Sequence, residues 1–147
     1  MDSTTTLPEN FTLHIHQEIE IDAPMADVFE TILDQGNLMV NPEGKSMNVK
    51  LEPWPGGRWF RDLGNKTGHL WGHVQVIKPP TLLELTGPMM MSYAAINHIQ
   101  YRLTEKTGVT TLTLNHRALG DIAKEHRESV GKGWQHILAQ IKNRSEK

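Results

Sequence analysis

The chain has 147 residues, a formal net charge of −2 and no cysteine. At this length we expect one domain that buries enough surface to fold without disulfides or metal ions. The lack of cysteine excludes a disulfide framework, a thiolate metal site and cysteine nucleophilic catalysis. Mixed charges argue against nucleic acid as the main partner, and no apolar run approaches the length of a membrane span.

The N-terminal segment differs in character from the rest of the chain. Residues 1–10 are polar and contain neither a basic start nor an apolar stretch, so they do not resemble a secretory signal. We therefore expect a cytoplasmic protein in which residues 1–10 form a disordered or loosely ordered tail. Residues 11–147 are expected to form the single domain.

Apolar periodicity predicts the elements in chain order. Residues 11–21 alternate between apolar and polar side chains, which predicts a first strand. Asp22-Ala-Pro24 favours a helix start, because proline fits the first helical turn, and residues 37–40 favour a second short turn of helix. Further strands, separated by glycine and proline turns, are predicted at 47–51, 58–63, 68–78, 81–86, 95–104 and 110–116.

A long amphipathic helix is predicted to end the chain, from about Ile122 to Asn143. Its apolar face follows spacings of three and four and consists of Ile122, His126, Val130, Trp134, Ile137, Leu138 and Ile141. Gly131 and Gly133 flank this face, although each costs a helix roughly 1 kcal/mol relative to alanine. A curved antiparallel sheet of six to seven strands packed on this helix is the α+β arrangement that satisfies these elements.

Four segments in a fixed order carry a family resemblance. They are Ile19-Glu-Ile-Asp-Ala-Pro24, Pro55-Gly-Gly-Arg-Trp59, Val74-Gln-Val-Ile-Lys-Pro-Pro80 with Leu82-Leu-Glu-Leu85, and Thr111-Leu-Thr-Leu-Asn-His116 with Gly133-Trp134. Together they span about residues 11–143 and resemble the START-like superfamily, also called SRPBCC or Bet v-like, which has the helix-grip fold. Within it, the chain looks like the branch named after the C-terminal domain of the activator of heat-shock-protein-90 ATPase.

The resemblance implies a cavity between the sheet and the C-terminal helix, where members bind apolar or amphipathic small molecules. Some members are cyclases, hydrolases or self-resistance proteins. The co-chaperone of the branch carries an additional N-terminal domain that contacts the chaperone, and we expect this chain to lack it. Small-molecule binding is therefore the first hypothesis for function, and a chaperone-ATPase-regulating interaction module, with an exposed patch in place of a pocket, is the last.

The predicted hairpin and helix supply the central candidates for a ligand site. Tyr101 and His116 share the apolar strand faces, so they are either polar groups in a pocket or core residues with satisfied hydrogen bonds. Trp134 is predicted to point inward and either lines a ligand space or fills the core. His126 lies two turns earlier on the same helix face, at a cavity mouth or on the surface.

Aromatic and methionine side chains supply the other candidates. Trp59 and Arg61 share a strand face and are assigned to the ligand site, as are Met91 and Tyr93, in a run that suits a ligand rim or a loop over the sheet edge. Trp71 is predicted to point outward, because Leu70, Gly72, Val74 and Val76 form the cleaner core face of its strand. An outward Trp71 is either an ordinary exposed side chain or part of a homodimer surface.

An enzyme is the alternative hypothesis for the same cavity. His116 is the best candidate for a catalytic base in a cyclase or hydrolase, with Tyr101 or Arg61 to polarise a carbonyl. The chain contains no G-x-S-x-G or H-E-x-x-H motif, no P-loop and no dinucleotide-binding fingerprint. The histidine pairs 14/16 and 69/73 lack an evident third ligand, so neither a metal nor another cofactor is expected.

Overall fold

A computed structural model describes residues 11–89 and 94–147. Within these ranges the chain forms one antiparallel sheet of seven strands, in the order β1-β7-β6-β5-β4-β3-β2, with two short helices and one long helix. The strands are β1 (Thr12–Ile21), β2 (Val49–Leu51), β3 (Arg58–Gly64), β4 (Thr67–Lys78), β5 (Leu82–Gly87), β6 (Ala95–Lys106) and β7 (Val109–Gly120). The helices are α1 (Met25–Leu33), α2 (Gln35–Leu38) and α3 (Lys124–Ser145). The predicted α+β helix-grip architecture is confirmed.

The alternation in the sequence places the core on one face of the central strands. On β6 the inward side chains are Ile99, Tyr101 and Leu103, and on β7 they are Leu112, Leu114 and His116, as predicted. The two sets pair directly, with Tyr101 opposite Leu114 and Ile99 opposite His116. Burying aliphatic and aromatic side chains of this size stabilises a fold by about 1.5–3 kcal/mol each.

Helix α3 covers this core with the predicted face. Trp134, Leu138 and Ile141 are buried, and the helix packs against β1 and α1. Gln17 from β1 donates its side-chain amide to the carbonyl of Gly131 over 2.8 Å, which ties the middle of the helix to the sheet edge. None of the helices in the described ranges is both long and apolar enough to cross a bilayer.

The boundary between β7 and α3 differs from the prediction. The strand continues past His116 to Gly120, and α3 begins at Lys124 without a side-chain cap. The extra residues stay in the sheet because both neighbouring strands hold them: Leu119 pairs with Thr12 on β1, and Gly120 pairs with Ala95 on β6. Pairing with β1 on one side and β6 on the other thus extends the strand beyond its predicted end.

Trp71 points inward, so the prediction of an outward tryptophan is wrong. Trp59 pairs with Gly72 and Phe60 with Leu70, which leaves Trp71 as an extra residue in β4 without a partner on β3. Such a bulge reverses the alternation of faces. Trp71 is therefore only 1% exposed, whereas Leu70, assigned to the core face, is 44% exposed.

Two glycines permit the close approach of β4 and β5 next to this bulge. A Cβ on Gly87 would lie 2.3 Å from the Cα of Gly72, so neither strand tolerates a side chain there. The amide of Met89 donates to the carbonyl of Trp71 over 2.8 Å and ties the chain after β5 to the bulged residue. The local sequence thus fixes Trp71 beneath α3.

Candidate functional site

His116 lies at the centre of a closed polar cluster in the core. Trp134 Nε1 donates to His116 Nδ1 over 2.9 Å, and His116 Nε2 lies 2.7 Å from Asn97 Oδ1. Because an indole nitrogen is only a donor, Nδ1 must be the unprotonated nitrogen, and Nε2 carries the proton that Asn97 accepts. Asn97 in turn donates to the carbonyl of Gly87 over 3.1 Å. We call Asn97, His116 and Trp134 the His116 cluster.

The cluster holds His116 in its neutral form. Burial, and to a smaller extent repulsion from the charge of a protonated His126, lower the pKa of His116 to about 4. Both ring nitrogens are already engaged within the cluster. His116 therefore offers no free lone pair to take a proton from a substrate, and this geometry does not provide the base that the enzyme hypothesis requires.

Tyr101 lies beside the His116 cluster rather than in an open cavity. Its ring meets the Trp134 indole edge-to-face, with centroids 6.0 Å apart. The side chain is completely buried, burial raises the pKa of its phenol, and its hydroxyl finds no hydrogen-bond partner among the described residues. A neutral phenol of this kind contributes packing and leaves one buried polar atom unsatisfied.

A pocket of about 170 Å³ lies between α3 and the sheet, on the other side of Trp134. We call it the α3 pocket. Helix α3 supplies one wall, formed by His126, Ser129, Val130, Gly133, Trp134 and Ile137. The opposite wall consists of Met39, Trp71 and Met89. The pocket is smaller than the roughly 300–1,000 Å³ of typical ligand pockets. The indole of Trp134, which forms part of its wall, is hydrogen-bonded to His116.

Trp71, which lines the α3 pocket opposite the helix, has an indole N–H without a hydrogen-bond partner among the described residues. Trp71 is packed edge-to-face on Trp59, with ring centroids 5.2 Å apart. Its Nε1 is buried and has no hydrogen-bond partner among the described residues. By contrast, Trp59 Nε1 donates to Gln35 Oε1 over 3.0 Å. The indole of Trp71 thus forms part of an apolar pocket wall, and its buried N–H is unpaired among the described residues.

The candidates proposed from the sequence separate into distinct places. Trp134 and His126 line the α3 pocket, whereas His116 and Tyr101 lie behind Trp134. Trp59 is buried next to Trp71 and does not line the pocket. The remaining three are Arg61, whose Nε donates to the carbonyl of Met47 over 2.9 Å, and Met91 and Tyr93, which lie outside the described residues.

Most contributors to the pocket were absent from the predicted site, among them Trp71, Gly133 and Met39. Trp71 was not predicted because the bulge reverses the side of the strand on which it lies. Gly72 in mid-strand is the sequence feature that indicates such a bulge. Gly133 lies beside the predicted apolar face and borders the pocket, and a Cβ there would have no heavy atom within 4 Å. Met39 comes from the short segment after α2, and no pattern in the sequence pairs it with α3.

The described residues bring no group of three or more histidine, aspartate or glutamate side chains together at metal-binding distance. His16, one of the paired histidines, lies with Nδ1 2.8 Å from Asn115 Oδ1. A surface partner therefore accounts for this imidazole without a metal ion.

A second apolar depression lies on the outer face of the sheet. Ile96 and Leu119 pair across β6 and β7 and are 64% and 51% exposed, in a shallow groove bordered by Leu13 and Arg117. The interaction-module hypothesis expects an exposed apolar patch, and this groove is compatible with it. The partner itself stays a prediction.

Comparisons with solved structures agree with this architecture. CV1439 from Chromobacterium violaceum is 20% identical, with a TM-score of 0.71, covering 93% of this chain and 98% of that one. CalU16 from Micromonospora echinospora is 21% identical, with a TM-score of 0.64, covering 89% of this chain and 74% of that one. BexL, a di-domain ARO/CYC of the BE-7585A biosynthetic pathway, is 17% identical, with a TM-score of 0.66, covering 93% of this chain and 51% of that one.

At these identities the structural matches establish the fold alone. No curated protein matches the sequence. The family described as "Activator of Hsp90 ATPase homolog 1-like protein" matches residues 22–146, which include both walls of the α3 pocket and the whole His116 cluster. The chain therefore belongs to the family of activator of Hsp90 ATPase homolog 1-like proteins.

Proposed function

We propose that this protein binds a small, largely apolar molecule in the α3 pocket. The observation that carries the proposal is the composition of the walls, in which methionine, tryptophan, valine and isoleucine side chains surround a few polar groups. Small-molecule sites are typically built in this way. The family match supports a helix-grip fold, in which a pocket in this position lies between the long helix and the sheet.

The size of the pocket limits the ligand. A dry apolar cavity of about 150 Å³ accepts benzene in other proteins. The α3 pocket, at about 170 Å³ and partly open to solvent, suits a body of about one ring with a short substituent. No lysine, arginine, aspartate or glutamate lies among the described lining residues, so an uncharged ligand fits best.

The helix glycine at the pocket supports the same proposal. Glycine in a helix interior costs roughly 1 kcal/mol relative to alanine. Gly133 lines the pocket, and a Cβ at this position would meet no heavy atom within 4 Å. The destabilising residue thus keeps the helix side of the pocket open.

Binding, rather than cyclisation, is the activity that the geometry supports. BexL is an ARO/CYC protein, so a cyclase is the natural alternative within this fold. In this chain, however, His116 is sealed behind Trp134 with both nitrogens engaged. We therefore propose a ligand-binding protein and assign His116 to the support of Trp134.

Filling the pocket from the helix side tests this function. Gly133→Leu places a side chain into the open space, and we expect it to weaken binding of toluene at least tenfold, measured by quenching of tryptophan fluorescence. Gln135→Leu introduces the same side chain at an exposed position of α3 outside the pocket wall and is expected to bind like the parent. Absence of saturable toluene binding by the parent, or equal binding by both variants, would reject the proposal.

A further inference from the structure

Three indole N–H groups in this protein are buried, and their hydrogen-bond partners differ. Trp59 donates to Gln35, and Trp134 donates to His116. Trp71 is equally buried, yet its Nε1 has no acceptor among the described residues. Buried donors are normally satisfied, so an exception at a pocket wall points to an acceptor other than the residues that the structure describes.

The surroundings of Trp71 keep its ring in place. The edge-to-face contact with Trp59 fixes one side of the indole, and the backbone of Trp71 is held by the amide of Met89. The bulge between β3 and β4 turns the side chain toward α3, where it forms part of the pocket wall. The donor is thus held in a fixed ring beside the pocket.

We propose that the indole N–H of Trp71 is the hydrogen-bond donor that orients the ligand in the α3 pocket. This inference rests on the proposed function, because it names the chemical class of molecule that the same pocket binds. The ligand is a compact apolar body carrying one uncharged acceptor, such as a ketone, aldehyde, ester or ether oxygen.

The polar groups of the pocket narrow this class further. A carboxylate or phosphate would bring a negative charge to walls that contain no lysine or arginine among the described residues. Burial also lowers the pKa of His126, which favours its neutral form. An uncharged oxygen gains the hydrogen bond from Trp71 without the cost of burying an unpaired charge.

A matched pair of probes separates the hydrogen bond from apolar binding. Acetophenone and α-methylstyrene have nearly the same planar shape, but only acetophenone carries a carbonyl oxygen. We expect Trp71→Phe, which keeps an aromatic ring against Trp59, to weaken acetophenone binding about three- to tenfold and to leave α-methylstyrene binding unchanged. Trp54→Phe, at a side chain that is 53% exposed, is the control and should change neither.

The outcomes distinguish this inference from the proposed function. If the parent binds neither probe, the proposed function fails and the inference fails with it. If both probes bind and Trp71→Phe affects them equally, or affects neither, the pocket binds ligands but Trp71 does not orient them. Only a selective loss of acetophenone binding supports the assignment.

A spectroscopic test on the parent protein does not depend on the folding of a variant. The chain has four tryptophans, so a ¹H–¹⁵N spectrum contains four indole N–H signals. Saturating acetophenone should move the Trp71 indole proton downfield, whereas α-methylstyrene should not, with Trp71→Phe used to assign the signal. Equal movement with both probes, or none with either, would overturn the proposal.

Discussion

The His116 cluster and the α3 pocket differ in how their polar groups are satisfied. In the cluster, the indole of Trp134, His116 and Asn97 form a chain of hydrogen bonds that ends on the carbonyl of Gly87, although the neighbouring Tyr101 hydroxyl is unpaired among the described residues. In the pocket wall, the buried N–H of Trp71 has no acceptor within residues 11–89 and 94–147, and a Cβ on Gly133 would meet no heavy atom within 4 Å. A closed polar network stabilises a fold, whereas an incomplete one next to a void is suited to a ligand. The comparison assigns structural support to the His116 cluster and binding to the α3 pocket.

The largest expected effect comes from removing the side chain that separates the two regions. Trp134→Ala deletes a buried indole and the donor to His116, so the free energy of unfolding should fall by about 3–5 kcal/mol in urea titrations. Trp54→Ala, at an exposed position, should change it by less than about 0.5 kcal/mol. Similar small effects for both variants would contradict a structural role for the cluster.

Acidification should reduce the contribution of the His116 cluster to the free energy of unfolding. The pKa of His116 is lowered from 6.5 to about 4, so the unfolded chain takes up the proton at a higher pH than the folded protein does. The contribution of His116 to stability is therefore complete above pH 6.5 and is lost as the pH falls toward 4, by about 3 kcal/mol. Urea titrations from pH 7 to 4 measure this loss.

The matched control for the pH dependence is His116→Gln, which does not titrate at this position. Its stability should vary less over the same pH range than that of the parent, because the remaining titratable groups are shared. Identical pH profiles for the two proteins would show that His116 protonates as readily in the folded state as in the unfolded one.

Removing a single N–H group should affect the two regions differently. Trp134→Phe leaves His116 Nδ1 buried without its donor, whereas Trp71→Phe removes a donor that has no partner among the described residues. Both substitutions replace an indole by a phenyl ring, so the packing loss is similar. The difference is the unpaired His116 Nδ1, so Trp134→Phe should be more destabilising by about 1–3 kcal/mol. Thermal and urea unfolding of the pair give this difference, and equal losses would contradict it.

The two helix glycines offer the smallest and most discriminating comparison. Alanine at either position should stabilise α3 by up to about 1 kcal/mol, because alanine has the higher helix propensity. At Gly131 a Cβ would meet Ile15 Cδ1 at 3.9 Å, an ordinary contact, whereas Gly133 lines the pocket and a Cβ there would meet no heavy atom within 4 Å. Only Gly133→Ala should therefore also weaken toluene binding, which fluorescence titration of both variants measures.

Periodicity was sufficient to predict most of the fold. Alternating strands and a helix face with spacings of three and four identify the inward residues of β6, β7 and α3, because those elements are regular. The end of β7 was missed, since pairing with β1 and β6 depends on contacts that are distant in sequence.

The candidate site was harder to predict, for reasons of geometry. A single extra residue in β4 reverses the side on which Trp71 lies, and periodicity does not register such a shift. His116 and Trp134 were both placed inward correctly, but their hydrogen bond depends on side-chain rotamers. The sequence pattern therefore grouped His116 with the cavity, whereas the structure separates it from the α3 pocket.

The most direct test is to locate a bound probe on the ¹⁵N-labelled parent protein. Titration with toluene, which requires no hydrogen bond, should give saturable shifts concentrated at Val130, Gly133 and the indole of Trp71. Shifts concentrated at Ile96 and Leu119 on the outer face, or no saturable shifts at all, would contradict the assignment of ligand binding to the α3 pocket.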